Sequence, residues 1–452
     1  MIYWAPLLHF YQPPTQLHWV LRKVCDESYR PLLKVLQQRS HAEVTVNINA
    51  VLTEMLAEHG MSDVIAGLRG LAETGRLEFT GSAKYHAILP LTSQQEMLRQ
   101  IVHNHQANRR FFGEVYSPQG FFPPEMCYGR NILKPVMDTG HRWLILSGVA
   151  CPTAWPTDVI YQVSSNGQGL AVFFRDDILS NRISFRQTDA RGFIDQIRSL
   201  VHNNGRGRNS YVVTAMDAET FGHHIRNWEE LFLSEVYQAL NPEAPAEDPW
   251  VYRSDLQGEG NGARSTPRPG TMVQEHGEML RTVELAETVD IRVVTLSKLL
   301  RLIPSGQPVE PRPSSWSTSL EDIYADNPYP LWKSRDNPIH QLQWQHMKIA
   351  TEMTIKAEEA AITDPAKGYA DIARALLDRA MHSDQFWWAS KRPWWDVNLV
   401  YRGLMEQSEV VFNAYKAIKL SNLSEDEKME YHYRVVASND LRNKIMDHLL
   451  TG

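Results

Sequence analysis

The stretch "YVVTAMDAETFGHH", residues 211–224, opens as a strand and then abandons strand chemistry. Tyr211, Val212 and Val213 make the apolar, β-branched run of a buried strand. Asp217, Glu219, His223 and His224 follow it, with Gly222 among them. Carboxylates and imidazoles placed immediately past a buried strand are costly unless they are paired or employed. In β/α barrels the active site is built at the carboxyl ends of the strands. This stretch therefore predicts a barrel, provided the other strands end in the same way.

They do. Short apolar runs recur over the first three hundred residues: "IYWAPLLHF", "EVTVNIN", "RLEFTG", "GFFPPE", "RWLILS", "LAVFFRDD", "YVVTAMD" and "IRVVTL". Helical stretches such as "EMLRQIVHNHQANRRFF" and "RGFIDQIRSLVHN" lie between several of them. Strands alternating with helices imply βαβ units and a parallel sheet, whose strands are apolar on both faces. Seven or eight units suit a closed or nearly closed barrel better than a doubly wound sheet. No glycine fingerprint for a dinucleotide follows the first strand, and "NNGRGRN" at 203–209 precedes a strand and reads as a loop. Residues 241–270, rich in Pro, Gly, Ser and charge, form a long excursion, and "IPSGQPVEPRPSSWSTS" at 303–319 marks a domain boundary. The reading is a β/α barrel over 1–310 and a helical domain over 311–452. In the latter, "TDPAKGYADIARALLDRAMHS" places Ile372, Leu376 and Ala380 on one helix face, and Ser424 with Glu427 forms a capping box.

Composition narrows the function classes. Among 452 residues, 43% are hydrophobic and 22% charged, which is a globular balance, and the net charge of -7 offers no basic footprint for nucleic acid. Three cysteines (Cys25, Cys127, Cys151) form no CxxC pair, and an odd count argues against a disulfide framework and for a reducing compartment. No apolar run reaches the length of a membrane span. The N-terminal "MIYWAPLLHFYQPP" lacks a basic region and a cleavage site, and reads as the first strand of a cytoplasmic protein.

Four polar residues fall at or just past predicted strand ends: His9, Glu78, Glu125 and Asp217. Glu78 reads either as a site residue or as a structural ion-pair residue. Glu125 follows Pro123-Pro124, a rigid turn that fixes the direction of a carboxylate. Asp217 and Glu219 are two apart and face one side of an extended segment. Paired carboxylates across a cleft suit glycoside hydrolysis, one as nucleophile and one as acid/base. The competing chemistry is a divalent metal held by His9, Asp217, His223 and His224. It is disfavoured because adjacent histidines diverge, and "QEHGEML" at 274–280 is no HExxH helix. The carboxylate reading leads.

The segments "HFYQPP", "GRLEFTG", "GFFPPEMCYG", "MDAETFGHH" and "MHSDQFWWAS" resemble, in order, the five sequence regions of glycoside hydrolase family 57, and "YHAILPL" at 85–91 resembles the "YHPILPL" that follows the second. The resemblance spans residues 3 to about 396. It implies a seven-stranded β/α barrel followed by a helical domain that closes over one side of the cleft. It also implies a retaining mechanism on α-linked glucans without metal or organic cofactor. By motif, Glu125 matches the nucleophile and Asp217 the acid/base. His9, Glu78, His86 and Glu219 match residues lining the sugar subsite, and Asp384 matches the acid supplied by the helical domain. Phe386, Trp387, Trp388, Trp394 and Trp395 flank Asp384, with Trp387 and Trp388 expected at the sugar. Two positions depart from the family pattern: Tyr11 stands where the first region has a second histidine, and Phe121 and Phe122 stand where the third has a tryptophan. The expected activity is α-amylase-like hydrolysis of α-1,4-linked glucans. A 4-α-glucanotransferase or branching activity is the alternative, and a non-catalytic glucan-binding protein stands behind both.

Overall fold

The computed structural model describes residues 1–165, 167–203, 209–241, 290–392 and 395–451. The expected excursion (from 242 on), the segment 274–280 and Trp394 lie outside the described residues.

Among these, the strands are β1 (Ile2–Phe10), β2 (Val44–Ile48), β3 (Leu77–Gly81), β4 (Gly120–Phe121), β5 (Trp143–Leu146), β6 (Ile160–Ser165), β7 (Gln168–Phe174), β8 (Ser210–Asp217), β9 (Ile291–Val293) and β10 (Ser305–Pro308). Seven of them run parallel in the order β8-β1-β2-β3-β4-β5-β7. The sheet curls until Asp176, just past β7, donates its N–H to Val213 O of β8 at 2.8 Å. The result is a (β/α)7 barrel, as the alternating pattern predicts.

The side-chain period of two sorts the interior from the outer layer. On β1, Ile2, Trp4, Leu8 and Phe10 pack outward in the core under the helices, whereas Tyr3, Ala5 and Leu7 pack inward. On β8, Val212 and Met216 face out, and Tyr211, Val213 and Ala215 face in. Both faces of each strand are covered, which is why the strands read as continuous apolar runs. β4 has only two residues, and its Gly120 leaves room for the Trp143 ring; a Cβ there would lie 2.0 Å from it.

The last predicted strand behaves differently. β9 pairs only the amino-terminal part of β1, at Ile2–Trp4, which β2 leaves open by engaging β1 from Leu7 onward. The chain then enters a helix, Leu296–Leu302, whose Leu296 and Leu299 join the barrel's inner core. Antiparallel β6 and the short β10 extend the sheet beyond β7 and had no clear signal in the sequence.

Beyond the barrel lie long helices Pro338–Ala360, Asp364–Ala380, Val397–Lys419 and Glu425–Thr451. The capping box forms: Glu427 Oε2 accepts from Ser424 N at 3.0 Å, and Ser424 Oγ accepts from Glu427 N at 3.3 Å. The face expected on Asp364–Ala380 is corrected. Ile372 is 47% exposed, and the buried stripe is Ala366, Ala370, Ala373, Leu377 and Ala380, whose small side chains suit close packing against neighbouring helices. That rotation turns Arg374 and Asp378 towards the barrel helix Gln94–Phe112. Arg374 Nη1 there donates to Glu96 Oε2 at 2.8 Å, and Arg99 Nε donates to Asp378 Oδ1 at 2.7 Å. Among the described residues no helix is long and apolar enough to cross a membrane.

Candidate active site

The parity that sends Tyr211, Val213 and Ala215 inward carries Asp217 to the same interior side at the top of β8. His9 does the same on β1, and the register places the two side by side. A polar ladder continues across the sheet: His9 Nδ1 donates to Asn47 Oδ1 at 2.6 Å, and Asn47 Nδ2 donates to Thr80 Oγ1 at 2.9 Å.

Glu125 reaches the same space by strain. It follows Pro123-Pro124 with φ 58 and ψ 18, and Met126 follows with φ 47. Consecutive non-glycine residues in the left-handed region are uncommon and gather at functional sites. His86, also left-handed, is fixed by the helical region: Ser383 N donates to His86 O at 3.2 Å, and His86 Nδ1 lies 2.9 Å from Ser383 Oγ.

These groups line one cleft of about 490 Å³. Its polar wall holds Glu125, Asp217, Glu219, Asp384, His9 and His86, and its aromatic wall holds Tyr11, Trp316, Trp332, Trp387 and Phe185. Rings stack through the wall, with Phe122 on His9 at 4.8 Å, His9 on His86 at 5.0 Å, and His86 on Tyr11 at 3.9 Å.

Burial, with the Asp384 and Asp217 charges, pushes the Glu125 carboxyl up to about 8, against hydrogen bonds from Trp316 and Ser383. Glu219 is pushed to about 8 by burial and by Asp217, although it accepts hydrogen bonds from Tyr29 and from Gln12 Nε2. Burial also raises Asp217, with His9 and Arg175 opposing. No donor among the described residues reaches the Asp217 side chain, so nothing there favours its ionised form by hydrogen bonding. Burial lowers His9, and burial lowers His86 strongly, so both imidazoles are neutral near pH 7. His382 is the exception. Burial opposes its charge, yet Asp384 and Glu406, hydrogen-bonded to its two ring nitrogens, lift it to about 9.

Three carboxyls of raised affinity for protons thus face one cleft at the barrel top. Residues 8–248, more than half of the chain, match the family described as "Glycosyl hydrolase family 57". The chain belongs to glycosyl hydrolase family 57. An α-amylase of Pyrococcus horikoshii is 24% identical over 246 residues, which cover 52% of this chain and 37% of that protein. This family-57 chain thus spans little more than a third of that relative's length. A branching enzyme of the same family from Pyrococcus horikoshii has a similar fold, with TM-score 0.67 and 16% identity over 98% of this chain and 94% of that one. So does a 4-α-glucanotransferase from Thermococcus litoralis, with TM-score 0.61 and 17% identity over 92% of this chain and 59% of that one.

Within this family-57 barrel, the structure brings together His9, His86, Glu125, Asp217, Glu219, Asp384 and Trp387. Two expected site residues lie elsewhere. Glu78 is the second residue of β3, so it sits at the amino-terminal end and not the carboxyl end. Its Oε1 accepts from Thr45 Oγ1 and from Ser297 N, both at 2.9 Å, which anchors the start of helix Leu296–Leu302 in the barrel floor. Trp388 is buried in a helical-domain cluster with Ile339, Val400 and Leu404, one position on from Trp387 and pointing inward. Phe386 stacks on Trp344 at 4.2 Å, and Trp395 packs beside Trp388, so both belong to the packing of the helices. The four-ligand metal set is also split: His223 Nδ1 binds Glu27 Oε2 at 2.7 Å, and His223 is not among the cleft-lining residues.

Sequence reading missed Trp316, Phe185, Gln12 and the His382–Glu406 pair. For Trp316 a signal existed, since a lone indole in the polar connector "PSSWSTS" has no reason to be there unless it packs. Glu406 carried none.

Proposed function

We propose that the protein is a retaining enzyme acting on α-1,4-linked glucans, with Glu125 as nucleophile and Asp217 as acid/base. One observation carries the reading: Glu125 and Asp217 face the same cleft, and only Glu125 is held by donors. Trp316 Nε1 donates to its Oε2 at 2.8 Å and Ser383 Oγ to its Oε1 at 3.4 Å, which favours the carboxylate. Burial raises the Asp217 carboxyl and no such donor opposes it, which suits the acid role.

The reaction starts from the fraction of molecules in which Glu125 is ionised and Asp217 protonated. Asp217 passes its proton to the glycosidic oxygen while the Glu125 carboxylate attacks the anomeric carbon, and the C–O bond to the leaving sugar breaks. Asp217, now ionised, takes a proton from water or a sugar hydroxyl, whose oxygen displaces Glu125 with a second inversion. Asp384 accepts from the Tyr11 hydroxyl at 2.5 Å and lies 3.1 Å from His382 Nδ1, at a place where a carboxylate suits the oxocarbenium-like transition state. His86 Nε2 is buried with no partner among the described residues, a place for a sugar hydroxyl. Trp387 and Phe185 offer faces to glucose rings. Residues 311–452 close one side of the cleft, and the free, buried Cys25, Cys127 and Cys151 suit the cytoplasm.

Incubation with maltoheptaose, with products resolved by chromatography, tests the reading. Oligomers above seven units indicate transfer, and shorter sugars alone indicate hydrolysis. Asp217→Asn is expected to lose about 10²–10⁴-fold in kcat. Wild-type turnover in that variant, or an inverted anomer in the first product by NMR, refutes the assignment.

A further inference from the structure

The connector between barrel and helices is built into the cleft. Tyr128 N donates to Ser314 O at 2.8 Å, Ser314 N donates back to Tyr128 O at 3.2 Å, and Trp316 N donates to Glu125 O at 3.1 Å. The strained turn at Glu125 and Met126 is thus laced to residues 314–316, and Ser314 and Ser315 are fully buried beneath it. Trp316 grips Glu125 a second time through its side chain, with Nε1 2.8 Å from Oε2, across 191 positions of sequence. The ring itself is fixed edge-on against His9 and Phe122, each at 5.9 Å.

We propose that Trp316 is a positioning residue that holds both the backbone and the carboxylate of Glu125 in the attacking geometry. This rests on the retaining reading above, in which Glu125 attacks. An indole N–H is a donor only and carries no charge. It therefore binds the carboxylate better than the carboxylic acid, and it does so without competing with a developing cation at the sugar. The other donor on Glu125 is weaker, Ser383 Oγ at 3.4 Å, and His86 Nδ1, 3.6 Å away, lies beyond hydrogen-bond reach. Trp316 supplies the shortest contact, and its main chain fixes the residue that the side chain orients.

The test separates the donor from the ring. Trp316→Phe removes the N–H and reduces the ring. Replacement of Trp316 by benzothienylalanine keeps the shape and removes only the N–H, so it decides the matter if the Phe variant fails to fold. Two readouts are taken on the full chain. Isotope-edited infrared spectroscopy follows ionisation of the Glu125 carboxyl, assigned by its disappearance in Glu125→Gln, and needs no turnover. The pH profile of hydrolysis of 4-nitrophenyl α-maltoside gives kcat and KM. The carboxyl midpoint is expected to rise by about one to two pH units in both variants. In parallel, kcat falls about 10- to 100-fold on the acid side, recovers towards alkaline pH, and leaves KM within about threefold. An unmoved midpoint in the benzothienyl variant, or a loss of kcat equal at every pH, overturns the proposal. If wild type fails to hydrolyse the maltoside, the retaining reading falls, while the infrared titration still decides whether Trp316 holds the Glu125 carboxylate.

Discussion

Replacing Glu125 with Gln is expected to stabilise the fold, and to do so more as pH rises. The folded carboxyl is pushed by burial and by Asp384 and Asp217 from 4.5 to about 8. Between those values the folded state holds a proton that the unfolded chain has released. The stabilisation tied to that proton is complete below pH 4.5 and is lost as pH rises through 8. Each unit corresponds to about 1.4 kcal/mol, so wild type loses about 3 kcal/mol by pH 7 relative to a neutral isostere, and about 4 by pH 8. These are upper figures, because the side chain keeps 17% of its surface open to cleft water, which screens the charge. The amide introduced by Glu125→Gln retains an acceptor for the Trp316 indole, so little else changes. Thermal midpoints of the two proteins, measured from pH 4.5 to 8.5, check this. They should coincide at the acid end and diverge by several degrees at the alkaline end, with the variant higher. A difference that is flat with pH, or a wild type more stable at pH 8, would refute the claim that Glu125 is an unfavourably buried charge. Such a cost at a strained, buried carboxyl is the trade of stability for activity expected of functional sites.

Three further outcomes follow from the same geometry. Glu78→Ala is expected to lose about 1–3 kcal/mol of stability, because Ser297 N–H and the Thr45 hydroxyl lose their acceptor, with kcat/KM unchanged; a tenfold fall in kcat/KM by initial-rate assay would return Glu78 to the active site. Arg374→Leu is expected to cost about 3–5 kcal/mol in denaturant unfolding, because it leaves Glu96 buried without its cation. Adding Glu96→Leu should recover most of that loss, and a silent single variant would mean that the pair does not dock the helices. Phe185 lines the cleft while 68% exposed, so Phe185→Ala is expected to raise KM for long glucans about 2- to 10-fold and to leave that for maltotriose unchanged. Equal effects on both lengths would remove Phe185 from the substrate path.

By itself, the sequence determined the barrel and much of the lining of the cleft at its top. Strand parity is a local property: once Tyr211, Val213 and Ala215 face inward, Asp217 must face the same side, and His9 follows from Tyr3, Ala5 and Leu7 by the same rule. The double proline before Glu125 likewise announced a fixed carboxylate. Where a strand begins was less legible. Glu78 looked like a strand-end residue because a five-residue strand leaves little to separate its two ends, and only the pairing with β2 and the contact with Ser297 placed it in the floor. Trp387 and Trp388 illustrate the same limit for helices: neighbours on a turn point in different directions, and which faces the sugar depends on how the helices pack on the barrel. The partners of Trp316 and the His382–Glu406 pair were decided by tertiary structure. Their partners stand 191 and 24 positions away, and no local periodicity encodes a contact made by a connector lying across a strained turn or by two helices meeting at a buried imidazolium. Burial then set the proton affinities of Glu125, Asp217 and Glu219, because the energy of a carboxylate depends on the water that three separate chain segments exclude.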